Sequence, residues 1–327
     1  MLKFSLLIIT HGREELLSKC LNSLQIEQED WQLIIVANGQ KLSDQLLTLA
    51  KGICQDFTLI DLDETQLPGK ARNKALESIK YDWVFLLDDD AYLSKDYFNK
   101  AHSRISKQNL DVLGGPDTPA ANMETFALSL GLTLSSPFCT GLTHNRHHPG
   151  KGAVKRVSEE SLSSCNLWIK KDLLLKVKFP DSFARAEETM LLLNLKKMGT
   201  IFYFDPQLFV FHHRRTKLKD LLRPTFNSGY YRSKAMKNQK GLASSLYWLP
   251  AIFVLLHLTC LWNPLAFFEM AKFYIVLVAA MTILIVQKAR RPSLFLRVFY
   301  LHYVIVFLYG LGFLLERIGF PWKSTRL

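Results

Sequence analysis

Three consecutive carboxylates, Asp88, Asp89 and Asp90, close the apolar run Val84-Phe85-Leu86-Leu87. A run this short and this apolar reads as a strand buried on both faces. Three adjacent negative charges at its end are costly unless a cation or water reaches them. Alternate side chains of an extended backbone point the same way, so Asp88 and Asp90 can share one hard cation while Asp89 turns aside or holds the loop. A solvated acidic turn is the plain alternative. Elsewhere, Glu187-Glu188 precede a helical pattern, where they are either a proton acceptor or acids favoured by the helix dipole.

The elements that must position these residues follow from hydrophobic patterning. Phe4–Ile9, Trp31–Val36, Phe57–Ile60 and Asp82–Leu87 read as strands, with helical stripes after the first two and a helix opening at Pro68-Gly69-Lys70-Ala71-Arg72-Asn73. Alternating strands and helices predict an α/β domain built on a mostly parallel sheet with helices on both faces. In such sheets ligands sit outside the carboxyl ends of the strands. Thr10, Asn38 and Asp88 all fall at such ends. Residues 117–160 show little periodicity and read as a long loop region carrying His144, His147 and His148.

The formal net charge of the 327-residue chain is +12. The five cysteines are scattered without metal-ligand spacing, which fits a reducing compartment. The N-terminal apolar run is too short for a signal-peptide core, so the N-terminal domain is expected to be cytoplasmic. The positive charge tracks a membrane rather than nucleic acid. Residues 212–240 form a basic amphipathic segment suited to an anionic bilayer surface. Ser244–Trp262 carries no charged residue, Ala266–Val286 is a second apolar run, and Val298–Leu315 is a third. The basic segment and the Lys288-Ala289-Arg290-Arg291 loop predict a cytosolic side, with Asn263-Pro264 outside, and hence a hairpin of two spans. The third run is either a span or re-entrant; crossing would put Arg317, Lys323 and Arg326 outside, against the positive-inside rule. The expected divisions are a catalytic domain over 1–211, an interfacial segment over 212–243 and a membrane region over 244–327.

Seven short stretches in order resemble a family 2 glycosyltransferase with the GT-A fold. Phe4–Arg13 resembles the opening strand and P-T-Y-N-R turn. Gly69-Lys70-Ala71-Arg72-Asn73 resembles G-x-A-R-N, and Phe85–Asp90 resembles F-L-D-D-D. Gly114-Gly115-Pro116 and Ser164-Cys165-Asn166 resemble the later G-G-P and G-x-N turns. Ala186-Glu187-Glu188 stands where the family has its E-D pair, and Phe211-His212-His213-Arg214 resembles V-x-H-x-x-R. The resemblance covers residues 3–240.

This resemblance implies Mg²⁺ or Mn²⁺ held by Asp88, Asp90 and His212, and Glu188 as general base. It implies nucleotide-sugar contacts from Thr10, Arg13, Asn38, Arg72, Asp88, Asp89, Gly115 and Asn166. Two departures stand out. Ala37, just before Asn38, stands where the family places a carboxylate, and Glu188 replaces the usual Asp. The expected partners are a nucleotide-diphosphate sugar, a polyprenyl-linked or other lipid-linked acceptor, and membrane lipids. The implied activity is inverting transfer of one sugar in cell-surface polysaccharide or glycolipid assembly at a bacterial inner membrane, by a multi-pass protein. No Q-x-x-R-W motif points to processive synthesis. A polyprenyl-phosphate sugar synthase and a catalytically silent domain acting as an assembly partner are the competing readings.

Overall fold

The strand Phe4–Thr10 (β1) shows how the sheet is built, because its alternate residues enter two different cores. The computed structural model describes residues 2–26, 30–120, 122–238, 245–258 and 262–322. After β1 come Glu14–Asn22 (α1), Trp31–Asn38 (β2), Asp44–Ile53 (α2), Phe57–Leu62 (β3), Pro68–Ala75 (α3), Trp83–Asp88 (β4), Ala91–Leu93 (β5), Tyr97–Lys107 (α4), Val112–Gly114 (β6) and Asp117–Thr118 (β7). Leu6 and Ile8 of β1 join Leu33 and Ile35 of β2, Phe85 and Leu87 of β4, and the inner faces of α1, α2 and α4. Leu7 joins Ile34, Val36, Val84 and Leu86 on the opposite face, against Ala71 and Ala75 of α3. Period-2 alternation in which both sets are apolar is what a doubly covered sheet requires.

The second half of the chain continues with Thr125–Leu134 (α5), Pro137–Thr140 (α6), Lys155–Val157 (β8), Asn166–Lys170 (β9), Lys171–Val177 (α7), Glu187–Lys197 (α8), Phe202–Phe204 (β10) and Val210–His212 (β11). The large sheet has the order β3-β2-β1-β4-β9-β6-β10-β8, and β5-β11-β7 form a smaller one. The pairs β1–β2, β2–β3, β1–β4 and β6–β10 are parallel, whereas β9 runs antiparallel to both β4 and β6. Phe4 pairs with Trp31 on one side and Trp83 on the other, so β1, β2 and β4 end together.

The chain forms two units, Met1–Thr118 with His148–His213, and Pro119–His147 with Arg214–Ser324. The second takes in residues 119–147, which composition places with the catalytic domain. Its other elements are Leu218–Asn238 (α9), Leu249–Leu258 (α10), Pro264–Lys288 (α11) and Phe295–Arg317 (α12). The helices α5 and α6 correct the expectation of a long loop. Thr125–Leu134 is apolar or small on every side, with Ser129, Gly131 and Thr133 buried, so no polar face marks a helical period.

Among the described residues, two helices are long and apolar enough to cross a membrane, Pro264–Lys288 and Pro292–Arg317, and the bent pair Thr125–Leu134 with Pro137–His147 would make a third if it is one span. The first expected span is described as an apolar helix only over Ser245–Leu258, and Ser244 and residues 259–261 lie outside the described residues. Lys240, Cys260, Lys323 and Arg326 lie outside them too. The basic helix α9 is not a bare amphipathic surface. It runs parallel to α12: Leu221 clusters with Leu301 and Ile305, and Ser233 donates to Glu316 at 2.6 Å. Lys237 Nζ reaches Glu316 Oε1 at 2.9 Å, while the Arg232 guanidinium lies 4.6 Å above the Tyr247 ring. Part of its charge is therefore spent within the unit.

Candidate active site

The shared end of β1 and β4 brings Thr10 and the acidic triplet together, since Ile9 pairs with Asp88. Gly12, in the left-handed region at φ 64, turns the chain so that Arg13 comes back toward the acids. Asp89 is fully buried and accepts a 2.7 Å hydrogen bond from Thr10 Oγ1. It also pairs with Arg13, whose other terminal nitrogen meets Asp90. Burial pushes the Asp89 carboxyl up to about 6, against the opposing charge of Arg13. Burial also raises Asp90, but His212 and Arg13 outweigh it and hold that carboxyl well below the usual range.

Arg72 is buried on α3 and joins two stretches of the chain. Its Nη1 lies 2.8 Å from Glu187 Oε1, and its Nη2 lies 3.1 Å from Asp88 Oδ1 and 3.4 Å from Ser164 Oγ. Burial raises the Asp88 carboxyl, and Arg72 is the strongest opposing charge. Glu187 is raised by burial and by the charge of Glu188, against Arg72. The pair Glu187-Glu188 forms the first turn of α8 rather than preceding it, directly after Ala186 in the left-handed region at φ 60. Glu188 is half-buried and Glu187 buried.

The small sheet supplies the third side. Strand β11 pairs with β5, setting His212 opposite Ala91, and with β7, which begins at Asp117. His212 Nε2 is then 3.0 Å from Asp90 Oδ1, and its Nδ1 is 3.0 Å from Asp117 Oδ2. Asp88, Cys165 and His212 offer ligand atoms that all lie within 4.8 Å of one another.

The remaining expected residues hold backbone. Asn38 donates to Gln66 O at 2.9 Å and accepts from Gln66 N at 2.8 Å, which ties the turn after β2 to the segment after β3. Gly115 packs where a Cβ would enter Leu208 O. Asn166 is buried, accepts from Tyr97 Oη, and donates to Leu208 O at 2.7 Å. His144 of the histidine-bearing stretch bonds Gly141 O, and His147 bonds Arg214. The sequence marks Glu187 only together with Glu188, and gives no role to Asp117, Ser164 or Cys165. Asp117 and Cys165 sit inside or beside turns that carry the resemblance, but neither shows in one dimension which partner it meets.

The family model for glycosyl transferase family 2 matches residues 5–154. Residues 5–154 belong to that family. Within the family 2 stretch lie Thr10, Arg13, Asn38, Arg72, the acidic triplet and Gly115; Asn166, Glu187, Glu188 and His212 follow it. The chain is 29% identical over 119 residues to poly(ribitol-phosphate) beta-N-acetylglucosaminyltransferase TarS of Staphylococcus aureus, covering 35% of this chain and 20% of that protein. It is 32% identical over 98 residues to a teichoic acid poly(glycerol phosphate) polymerase of Staphylococcus epidermidis, covering 28% of this chain and 13% of that one. The matches thus span a fifth or less of these relatives' length. Among solved structures, S. aureus TarS 1–349 in complex with UDP-GlcNAc is similar with a TM-score of 0.51 at 16% identity, covering 98% of this chain and 93% of that one. The mannosyltransferase PcManGT from Pyrobaculum calidifontis, in complex with GDP-Man and Mn²⁺, is similar with a TM-score of 0.58 at 14% identity, covering 96% and 86%. The family 2 fold seen here is the GT-A fold of these enzymes.

Proposed function

We propose that this chain transfers a single sugar from a nucleotide-diphosphate sugar to a lipid-linked acceptor, with inversion at the anomeric carbon. The observation that carries the reading is the gathering of Asp88, Asp90, Arg13, Arg72 and His212 at the ends of β1 and β4 in a family 2 domain. Ligands of such sheets bind outside the carboxyl ends of the strands. The nucleotide sugars bound by TarS and PcManGT support a donor of that class.

Asp88, Asp90 and His212 are oxygen and imidazole donors that suit Mg²⁺ or Mn²⁺. Their fit is supported by the approach of Asp90 Oδ1 and His212 Nε2 to 3.0 Å, while Arg13 and Arg72 now neutralise the acids that an ion would share. A bound ion would offset the charge that develops on the leaving diphosphate. Arg72 is buried and permanently charged, and stays fixed beside that diphosphate. The side chain of Arg13 is 43% exposed, and swings from Asp90 to the phosphates as the donor enters. Asp89 and Thr10 hold the turn from which Arg13 reaches. Glu187 pairs with Arg72, and the half-buried Glu188 beside it is the residue that accepts the proton of the acceptor hydroxyl. One base acting on the incoming hydroxyl gives inversion.

Membrane attachment is assigned to α10 and α11. Fifteen of the 22 exposed large apolar side chains among the described residues lie between Leu246 and Leu284, including Phe273 at 72% and Val276 at 67%. Such a surface demands lipid or a partner, and a hairpin through Asn263-Pro264 supplies the first. Helix α12, also long and apolar enough to cross, packs along both α10 and α9, the latter carrying Arg223, Arg232, Lys234 and Lys237. Between them, residues 119–147 and 214–324 carry 17 Lys and Arg against four Asp and Glu, suited to an anionic cytoplasmic leaflet.

Product analysis tests the reading. Detergent-purified chain is incubated with labelled UDP-, GDP- and dTDP-sugars and either a polyprenyl-diphosphate-linked sugar or a polyprenyl phosphate. Label in the first lipid supports the proposal. Label only in the phosphate-linked product assigns the synthase reading, and donor binding without turnover of any donor assigns the silent domain.

A further inference from the structure

The crevice holds a buried thiol that the transfer chemistry does not use. Cys165 is 3% exposed, and its sulfur, an Asp88 carboxylate oxygen and a His212 ring nitrogen lie mutually within 4.8 Å. We propose that this crevice also takes Zn²⁺, bound by Asp88, Cys165 and His212, and that this binding closes the crevice to the hard ion of the transfer reaction. The closing effect, though not the zinc site itself, rests on the assignment of Asp88, Asp90 and His212 to that hard ion.

The ligand chemistry separates the two modes. Asp88, Asp90 and His212 form an oxygen-rich set suited to Mg²⁺ or Mn²⁺, whereas a thiolate with one imidazole and one carboxylate selects Zn²⁺. Tetrahedral zinc with its usual bond lengths places ligand atoms roughly 3.3 to 3.7 Å apart, so shifts on the order of 1 Å complete the set. The side chains of Asp88 and His212, 31% and 19% exposed, have room for such shifts, and Cys165 is the fixed corner.

The second shell is already built. His212 Nδ1 lies 3.0 Å from Asp117 Oδ2. A carboxylate behind an imidazole orients it as a zinc ligand and raises its basicity. That leaves Nε2, now facing Asp90 Oδ1 at 3.0 Å, to meet the metal. Binding releases the Cys165 thiol proton to solvent and changes no oxidation state. A water fills the fourth position. Both modes need Asp88 and His212, so they exclude one another.

The test uses Co²⁺ as the spectroscopic probe. Full-length chain in detergent is stripped with a chelator and titrated with Co²⁺, and absorption is read in the near ultraviolet, where a thiolate-to-cobalt charge-transfer band appears. One equivalent of Co²⁺ should produce the band, and Zn²⁺ should abolish it by displacement. Cys165→Ser should lose the band and weaken Zn²⁺ binding by about 100-fold, since even outer-shell changes cost 10- to 100-fold. Cys165→Ala removes the ligand without adding a hydroxyl to the core and guards against a folding failure of the serine variant. Cys54→Ser should keep the band. Absence of the band in wild type, or its survival in both Cys165 variants, overturns the proposal. A band in a chain that transfers no sugar keeps the zinc site and removes the proposed function, and transfer without a band does the reverse.

Discussion

Arg72 Nη1 and Glu187 Oε1 meet at 2.8 Å across 115 positions of the chain, both buried, and the same guanidinium reaches Asp88 Oδ1 at 3.1 Å. This arginine joins the carboxylate assigned to the ion with the helix that carries the assigned base. Removing one partner of a buried pair leaves an uncompensated charge and costs about 3 to 5 kcal/mol. Arg72→Leu should lower the melting temperature sharply, and Arg72→Leu with Glu187→Leu should recover much of the loss. A double-mutant cycle by thermal unfolding checks this.

The Asp89 carboxyl is raised from 3.8 to about 6 by burial. Between those values the folded chain keeps a proton that the unfolded chain has released. The stabilisation is therefore complete below pH 4 and is lost as pH rises through 6. At about 1.36 kcal/mol for each unit, the effect is on the order of 3 kcal/mol. Asp89→Asn should flatten the fall in stability between pH 4 and pH 7, read as melting temperature at constant ionic strength.

Close helix contact in the second unit rests on glycine. A Cβ at Gly312 of α12 would enter the carbonyl oxygen of Phe226 on α9, whereas one at Gly52 of α2 meets nothing within 4 Å. Gly312→Ala should cost about 1 to 3 kcal/mol through forced separation of the backbones. Gly52→Ala should stabilise by up to about 1 kcal/mol through helix propensity. Chemical denaturation of the two variants separates the outcomes.

Asn38 uses both ends of its amide on the backbone of Gln66. Asn38→Asp keeps the shape of the side chain but faces a carboxylate oxygen toward the Gln66 carbonyl. The expected loss is about 1 to 3 kcal/mol from the missing donor, measured by urea unfolding.

The strands and the crevice were legible because apolar runs stop abruptly at Thr10, Asn38 and Asp88, and a buried strand cannot hide where it ends. Helix α5 was not legible, since Thr125–Leu134 has no polar face to set a period. The contrast between Asp88 and Asp89 was only half visible. Alternation separates the two, but only the fold shows Asp89 fully buried under Thr10 and Arg13. Asn166 and Asn38 have the residue type of ligand contacts, and their amides turn out to bind backbone, a use that depends on strands distant in sequence. The partnership of Arg72 with Glu187, and of His212 with Asp117, joins segments about a hundred residues apart and leaves no local trace.

The most direct measurement is nucleotide-diphosphate release by the purified chain, with each nucleotide sugar, Mn²⁺ or Mg²⁺ and lipid acceptor, beside Asp90→Asn and Glu188→Gln. Release is expected from one donor, requires the ion and rises with acceptor. In Glu188→Gln it should fall by about 10²-fold or more, within the range of a lost general base. Release that survives in Glu188→Gln at the wild-type rate would contradict it.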